Sequence, residues 1–414
     1  MSDTLIVAVS QSGTTTDTNR TVDVVKARGA LVVGIVNRRG SDLSDKAHGI
    51  IYTSDGRDVE MSVASTKAFY AQIASGFLLA DVLSQSVPGA APAYDRQELL
   101  TGLRELPKMM TETLGKREVI AEAASKHAPP RRYWAIVGNG SNKVAAEEIR
   151  IKLSELCYKA IPCDVTEDKK HIDLSSEPLI LICAAGLTGS NADDVAKEVA
   201  IFSAHKAAPI VIATEGEERF NAALNVIGVP ETHGSLAFIL STMVGHLFGY
   251  EAALAIDESA RPLREVRGAI EDAVETSTEG WFGDFSKQVR PLATKFFTEL
   301  RKGTYNGHLE ASTAIQVSTL LRFASQQIPL DLYQAEFDRV GTPGVVVEDL
   351  ALGLTTAIEE LTRPIDAIKH QAKTVTVGIS RADESLLQSM LTTQVLATGV
   401  DRDSLSYKLS LIHI

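Results

Sequence analysis

The chain has 414 residues and a formal net charge of −12 at pH 7, so it offers no overall basic surface for nucleic acid. Its 44% of hydrophobic and 23% of charged residues are typical of a soluble globular protein with room for two or three domains. The cysteines Cys157, Cys163 and Cys183 show no C-x-x-C spacing. They therefore predict neither a zinc site nor a disulfide framework, and they favour a reducing, cytoplasmic compartment.

The first predicted element is a buried strand at residues 5–9, followed by the run S-Q-S-G-T-T-T-D-T at residues 10–18. Gly13 lets the backbone approach an anion closely, and the hydroxyl groups of the run can donate hydrogen bonds to phosphate oxygens. A helix that begins near Asp17 would point the positive end of its dipole at the same place. The run predicts a phosphate-binding loop, and an ordinary capped turn between a strand and a helix is the alternative.

A strand, a turn rich in Gly, Ser and Thr, a helix and a second strand occupy residues 5–36, and the same order returns at residues 179–213. An additional strand at residues 133–137 runs into Gly138-Asn139-Gly140-Ser141. β-branched runs that alternate with helices predict parallel sheets covered on both faces, with ligands at the carboxyl ends of the strands. A helical linker is expected between the two units.

The later part of the chain is predicted to be mostly helical. Residues 235–256 form the most apolar long segment, and they contain His246 and Glu251. These polar residues favour a buried core or dimer helix over a membrane span. Residues 271–414 carry no motif that indicates a function, and a strand-like run lies at residues 374–379.

A candidate catalytic group is formed by Glu148, Lys152 and Glu155, whose i, i+4, i+7 spacing places them on one face of a predicted helix. His171 follows in the loop-like run D-K-K-H. The alternative is a solvated helix face with favourable charge pairs.

The motif S-Q-S-G-x-T-x-D-T, together with V-A-S-T-K-A at residues 63–68, resembles the sugar isomerase (SIS) family. More narrowly, the pair resembles the isomerase half of the glucosamine-6-phosphate synthases, the glutamine–fructose-6-phosphate aminotransferases. A second match to that family runs without a gap from Gly138 to His171. The resemblance implies an α/β fold with two doubly wound, three-layer SIS subdomains at residues 1–93 and 131–270. A helical linker at 94–130 would join them, and a mostly helical extension at 271–414 would follow.

The resemblance also implies a role for each candidate residue. Glu155 would be the base that moves a proton between C1 and C2 of the sugar, with Lys152 on the open-chain hydroxyl groups and Glu148 in support. His171 would assist ring opening from the neighbouring subunit, which implies a homodimer with a shared site. The phosphate would be held by Ser10, Gln11, Ser12 and Thr15, and the sugar by Val63 and Ser65. No metal, cofactor, nucleic acid or membrane partner is implied.

The sequence also departs from the family pattern. Arg267 stands where the family has the lysine that forms an imine with the sugar, and Ile172 replaces a glycine after the Lys-His pair. The first subdomain is expected to be N-terminally incomplete, and the glutaminase domain is expected upstream but not in this chain. Three functions therefore stay open: an isomerising aminotransferase acting on fructose 6-phosphate, a sugar-phosphate isomerase or deaminase without an imine, and a module that binds a sugar phosphate without reacting.

Overall fold

The computed structural model describes residues 1–54, 66–87, 89, 94–169, 171–275, 280–362 and 390–399. They belong to two compact units, Met1–Thr362 and Arg363–Ile414. In the second unit the described structure is one helix, Met390–Ala397. The predicted strand at residues 374–379 lies outside the described residues. The rest of the fold description concerns the first unit.

The first layer is a parallel sheet of three strands in the order β1-β2-β3. Its elements are β1 (Leu5–Ser10), α1 (Thr16–Ala27), β2 (Leu31–Val36), α2 (Asp42–Lys46), β3 (Gly49–Tyr52) and α3 (Thr66–Ser86). Because strand side chains alternate between faces, Ala8 and Val32 pack against Val22 of α1 and Leu43 of α2. The other face of β1 carries the exposed Val9 and its neighbours Leu5 and Val7.

The second layer is a parallel sheet of five strands in the order β5-β4-β6-β7-β8. Two helices precede it, α4 (Arg96–Leu114) and α5 (Arg117–His127). The layer consists of β4 (Trp134–Gly138), α6 (Ser141–Cys157), β5 (Cys163–Asp164), α7 (His171–Leu174), β6 (Leu179–Cys183), α8 (Gly189–Ala204), β7 (Ala208–Thr214), β8 (Asn225–Val229) and α9 (Ala237–Ser259). Every residue of β4 and β6 is buried, as expected for parallel strands covered on both faces. The predicted parallel α/β fold is confirmed.

Helices cover both faces of this second sheet. Ile136 and Leu181 face one core, to which α4, α5, α6 and α9 contribute, whereas Ile180 and Ile182 face the other core with Phe202 of α8. By length and composition α9 could cross a membrane, but 72% of its most apolar 18-residue stretch is buried in the fold. This burial agrees with the prediction of a buried core or dimer helix.

The chain continues into a helical layer, which confirms the predicted helical character of this region. It is built from α10 (Arg261–Glu275), α11 (Trp281–Lys302), α12 (Ala311–Ala324), α13 (Tyr333–Phe337) and α14 (Pro343–Leu361). The layer has its own apolar core, with Phe296, Phe323 and Leu350 fully buried. The ammonium group of Lys159 donates to the carbonyl oxygens of Arg132 and Gly307 at 3.0 Å, which ties this layer to the second α/β layer.

Helices α6 and α9 pack unusually closely because α9 presents glycine where they cross. A Cβ atom at Gly245 would fall on the side chain of Ile149, and one at Gly249 would lie 2.7 Å from Cδ1 of Leu153. Ile149 and Leu153 are themselves fully buried. The contact therefore sets the distance between the two helices and leaves no room for a larger residue on α9.

We expect Gly245→Ala to lower the free energy of unfolding by about 1–3 kcal/mol, because the added methyl group overpacks the α6–α9 contact. Gly268→Ala is the matched control, since Gly268 lies within α10 and a Cβ atom there would meet nothing within 4 Å. That variant should gain about 0.5–1 kcal/mol from the better helix propensity of alanine. Denaturant unfolding of the two variants measures both changes, and equal stability of the pair would contradict the close packing.

Candidate active site

Buried hydrogen bonds fix the start of α6 at the carboxyl ends of the strands. The side-chain amide nitrogen of Asn142, Nδ2, donates to the carbonyl oxygen of Ala185, just after β6, at 2.8 Å. The amide oxygen of Asn142 accepts a hydrogen bond from the hydroxyl group of Ser241 on α9, also at 2.8 Å. Since Asn142 and Ser241 are both buried, the orientation of α6 is set relative to the sheet and to α9.

The charged face of α6 is largely removed from solvent. The side chains of Glu148 and Lys152 are only 14% and 7% exposed, and Nζ of Lys152 lies 3.5 Å from Oε1 of Glu148. Glu155 follows one turn later on the same face and is half-buried. The solvated-face alternative is therefore wrong for Glu148 and Lys152. A buried ion pair of this kind costs desolvation and is weak evidence of a purely stabilising role.

Two residues that the sequence reasoning had not placed in the site complete this charged group. Nε2 of His246 on α9 lies 3.3 Å from Oε1 of Glu148. On its other side, Nδ1 of His246 lies 2.7 Å from the hydroxyl oxygen of Tyr70 on α3. The only sequence signal for His246 is a polar ring inside an otherwise apolar helix. Tyr70 gives no signal, because nothing local predicts that α3 meets α9.

The charges of this group follow from its surroundings. Burial acts to raise the pKa of Glu148, but the contacts with His246 and Lys152 outweigh burial and hold the pKa below its ordinary value. Burial in the first place, and the nearby charge of Glu148 in the second, raise the pKa of Tyr70 far above its ordinary value. At neutral pH the site therefore contains a carboxylate on Glu148 and a protonated phenol on Tyr70.

The predicted phosphate loop joins β1 to α1 and is held in place by its own side chains. Asn19 donates to the carbonyl oxygens of Gly13 and Thr15 at 2.9 and 3.1 Å, which folds the loop onto the start of α1. Gly13 has φ +67°, and a Cβ atom there would collide with Ser41. Glycine is therefore required at Gly13 by both its backbone conformation and its surroundings.

One detail of the loop differs from the sequence-based picture, in which backbone amides and hydroxyl groups together hold the anion. The amide N–H of Gly13 donates to the hydroxyl oxygen of Ser10 at 3.0 Å, and that of Thr14 donates to Ser12 at 3.2 Å. Both amides are thus satisfied within the loop. Because each serine oxygen accepts one of these bonds, its own O–H is left as a donor. The hydroxyl group of Thr14 also donates to Ser12, at 3.0 Å. The serine hydroxyl groups and the helix end, rather than these two amides, are therefore the donors left for an anion.

The segment that leads to His171 is also anchored to the second sheet. Asn139, just after β4, exchanges two hydrogen bonds with Thr166, at 2.8 and 3.1 Å. Three residues later Lys169, which is 5% exposed, pairs with Asp164 at 2.9 Å. The backbone of His171 then begins α7. The loop is therefore fixed to the same edge of the sheet as the start of α6.

Not every predicted site residue can be placed. Val63, Ser65 and the side chain of His171 lie outside the described residues. Ser10 is the last residue of β1, and Gln11, Ser12 and Thr15 lie in the loop that follows, whereas the charged face belongs to the helix after β4. An open surface hollow elsewhere contains none of the predicted site residues; it is lined by Gln97, Glu98, Thr101, Gly102, Glu105 and His233.

The structure contains a serine-rich loop after a parallel strand and a carboxylate–lysine face on the helix of a second parallel sheet, the two features on which the resemblance to the sugar isomerase (SIS) family rests. In agreement, the SIS domain family matches residues 1–81. Over 276 residues, 64% of its length, the chain is 34% identical to the glutamine–fructose-6-phosphate aminotransferase (isomerizing) of Thermus thermophilus. It is 32% identical over 258 residues to the enzyme of the same name from Corynebacterium glutamicum.

The similarity covers only part of the relatives' length, and a solved structure shares the fold. The chain spans less than half of the length of these two relatives, 44% and 41%. The fold matches the C-terminal domain of glucosamine-fructose-6-phosphate aminotransferase from Francisella tularensis with a TM-score of 0.55. That match covers 61% of this chain and 70% of the other at 20% sequence identity, which supports the fold assignment.

We expect Glu148→Gln to cost about 3 kcal/mol in the free energy of unfolding at pH 7, because it leaves the buried Lys152 without its anion. The loss should shrink as the pH falls. A carboxylate with a depressed folded-state pKa stabilises the fold above its unfolded pKa, and this contribution disappears as the pH falls through the folded pKa. Denaturant unfolding at several pH values measures the difference.

Glu147→Gln is the control on the same helix, because Glu147 is 61% exposed and lies 4.0 Å from Lys143. Its effect should stay within about 0.5 kcal/mol at every pH. A loss in Glu148→Gln that matched the control, or that grew on acidification, would contradict the buried ion pair.

Proposed function

We propose that this chain binds a phosphorylated sugar and transfers a proton between its C1 and C2 atoms. The observation that carries the proposal is the buried Glu148–Lys152 pair on α6, one turn before Glu155. A carboxylate–ammonium pair costs more to bury than apolar residues of the same size, so its presence in a core helix is best explained by chemistry. The names of the homologous aminotransferases, which act on fructose 6-phosphate, support the substrate class.

In this proposal the Ser10 and Ser12 hydroxyl groups, with the N-terminus of α1, hold the phosphate. Gln11, Thr15, Val63 and Ser65 would complete the contacts to phosphate and sugar. Glu155 takes a proton from one carbon and returns it to the next, which requires a carboxylate close to the substrate. Lys152 donates to the open-chain oxygen atoms, and Glu148 keeps Lys152 in place. His171 of the partner subunit assists ring opening in a homodimer, and the reaction belongs to the cytoplasm.

The relatives are named as isomerising aminotransferases, and transfer of an amino group through an imine would need a free amine on the protein. The family resemblance predicts a lysine as this amine, but the chain has Arg267 at that position, and its guanidinium group stays protonated. Arg267 is 47% exposed on α10, with Nε 3.7 Å from Oε1 of Glu271. This placement favours a second candidate function, a sugar-phosphate isomerase or deaminase that works without an imine.

We expect Glu155→Gln to lower the isomerisation of fructose 6-phosphate by about 10²–10⁴-fold, because it removes the base but keeps the shape of the side chain. Exchange of the C1 hydrogen with deuterated solvent, followed by NMR, measures the proton transfer directly. Glu147→Gln on the exposed side of α6 is the control and should keep full activity. Unchanged exchange in Glu155→Gln would rule out both enzymatic functions, and binding of the sugar phosphate without any exchange would leave a sensing module.

The shared site makes a separate prediction. Glu155→Gln and His171→Asn should each be inactive alone, because each removes one residue from both sites of a symmetric dimer. After the two are unfolded together and refolded as a mixture, about one quarter of the wild-type activity should return, since half of the dimers are mixed and each has one intact site. Activity that stays absent in mixed dimers would show that Glu155 and His171 act within one subunit.

A further inference from the structure

The contacts of His246 bear on which of its ring nitrogens carries the proton. The hydroxyl oxygen of Tyr70 lies 2.7 Å from Nδ1, and the strongly raised pKa of Tyr70 keeps the phenol protonated. In the arrangement that we test below, the phenol O–H donates to Nδ1, which acts as the acceptor; the reverse bond from Nδ1–H to the phenol oxygen would place the proton on Nδ1. A neutral imidazole with Nδ1 as acceptor carries its proton on Nε2. That nitrogen is the one that faces Glu148.

The ring of His246 is also held in place by packing. It is 8% exposed, and the rings of Phe69 and Tyr70 meet it edge to face, with centroids 6.2 and 5.6 Å away. Gly245, the preceding residue on α9, sits at the close crossing with α6. The imidazole therefore has little freedom to turn away from Glu148.

Two side-chain nitrogen atoms lie near Oε1 of Glu148: Nε2 of His246 at 3.3 Å and Nζ of Lys152 at 3.5 Å. Among the described residues neither Oε1 of Glu148 nor Nε2 of His246 makes an aligned hydrogen bond. Contacts of this length are typical of catalytic groups before a substrate draws them together. The ammonium group of Lys152 has three N–H donors, so its contact with Glu148 uses only some of them.

We propose that Tyr70 and His246 are positioning residues, which hold Glu148 and Lys152 in the geometry needed for proton transfer at Glu155. This inference rests on the proposed function. It assigns the two residues no direct contact with the sugar. Tyr70 lies in α3, five residues after Ser65, so the chain of contacts links the helix that follows the predicted sugar-binding segment to the charged face of α6.

The test uses Tyr70→Phe, which removes one oxygen atom, and two substitutions of the histidine. Tyr70→Phe and His246→Leu should lower kcat by about tenfold, the effect of one hydrogen bond, with KM changed less than about twofold. His246→Gln should restore most of kcat, because its amide can donate to Glu148 and accept from Tyr70. Tyr250→Phe on the exposed side of α9 is the control and should behave like wild type.

A second readout does not depend on turnover. At a pH where the imidazole is neutral, the ¹⁵N signals of His246 in protein labelled with ¹⁵N-histidine should show the proton on Nε2, and Tyr70→Phe should shift them toward a mixture of both neutral forms. An unchanged ¹⁵N pattern in Tyr70→Phe, or a kcat equal to that of Tyr250→Phe, would overturn the inference. If wild type turns over no sugar phosphate while the ¹⁵N shift occurs as expected, the proposed function fails and the assigned contact between Tyr70 and His246 stands.

Discussion

The close crossing of α6 and α9 is the constraint on which the candidate site depends. Gly245 and Gly249 let α9 approach the apolar side of α6, where Ile149 and Leu153 fill the gap. This approach carries His246, the residue after Gly245, to within 3.3 Å of Glu148. A wider crossing would let water reach the Glu148–Lys152 pair, and the interactions within the pair would weaken in the higher dielectric.

The same crossing explains why the polar groups of the site depend on one another. Lys152 is buried, so its charge needs a nearby anion, and Glu148 supplies it. Glu148 is buried in turn, and its two neighbours Lys152 and His246 overcome the effect of burial on its pKa. Tyr70 contacts His246 from the far side of the ring, at Nδ1. Removing one member leaves another buried without its counterpart, which is more costly than the absence of the whole group.

The sequence predicted those parts of the structure that depend on local order. The strands at residues 5–9 and 179–183, the loop after β1 and the common face of Glu148, Lys152 and Glu155 all follow from spacing within one element. Burial of that face could not be predicted in this way, because it is created by α9, nearly a hundred residues downstream. The contact between Tyr70 and His246 spans 176 positions of sequence. The sequence also did not predict that the backbone amides of Gly13 and Thr14 donate to serine side chains of the same loop. The reason is different here, because serine oxygens compete with an anion for the same N–H donors.

The helical layer that follows α9 bears on the chemistry as well as on the fold. Helix α10 begins at Arg261, immediately after α9, and places Leu263, Val266 and Ile270 in the core of that layer. The helical period then leaves Arg267 on the outside, where it pairs with Glu271. A guanidinium group at residue 267 stays protonated and could not form an imine with a sugar. The chemistry of arginine therefore favours, within the proposed function, proton transfer without an imine.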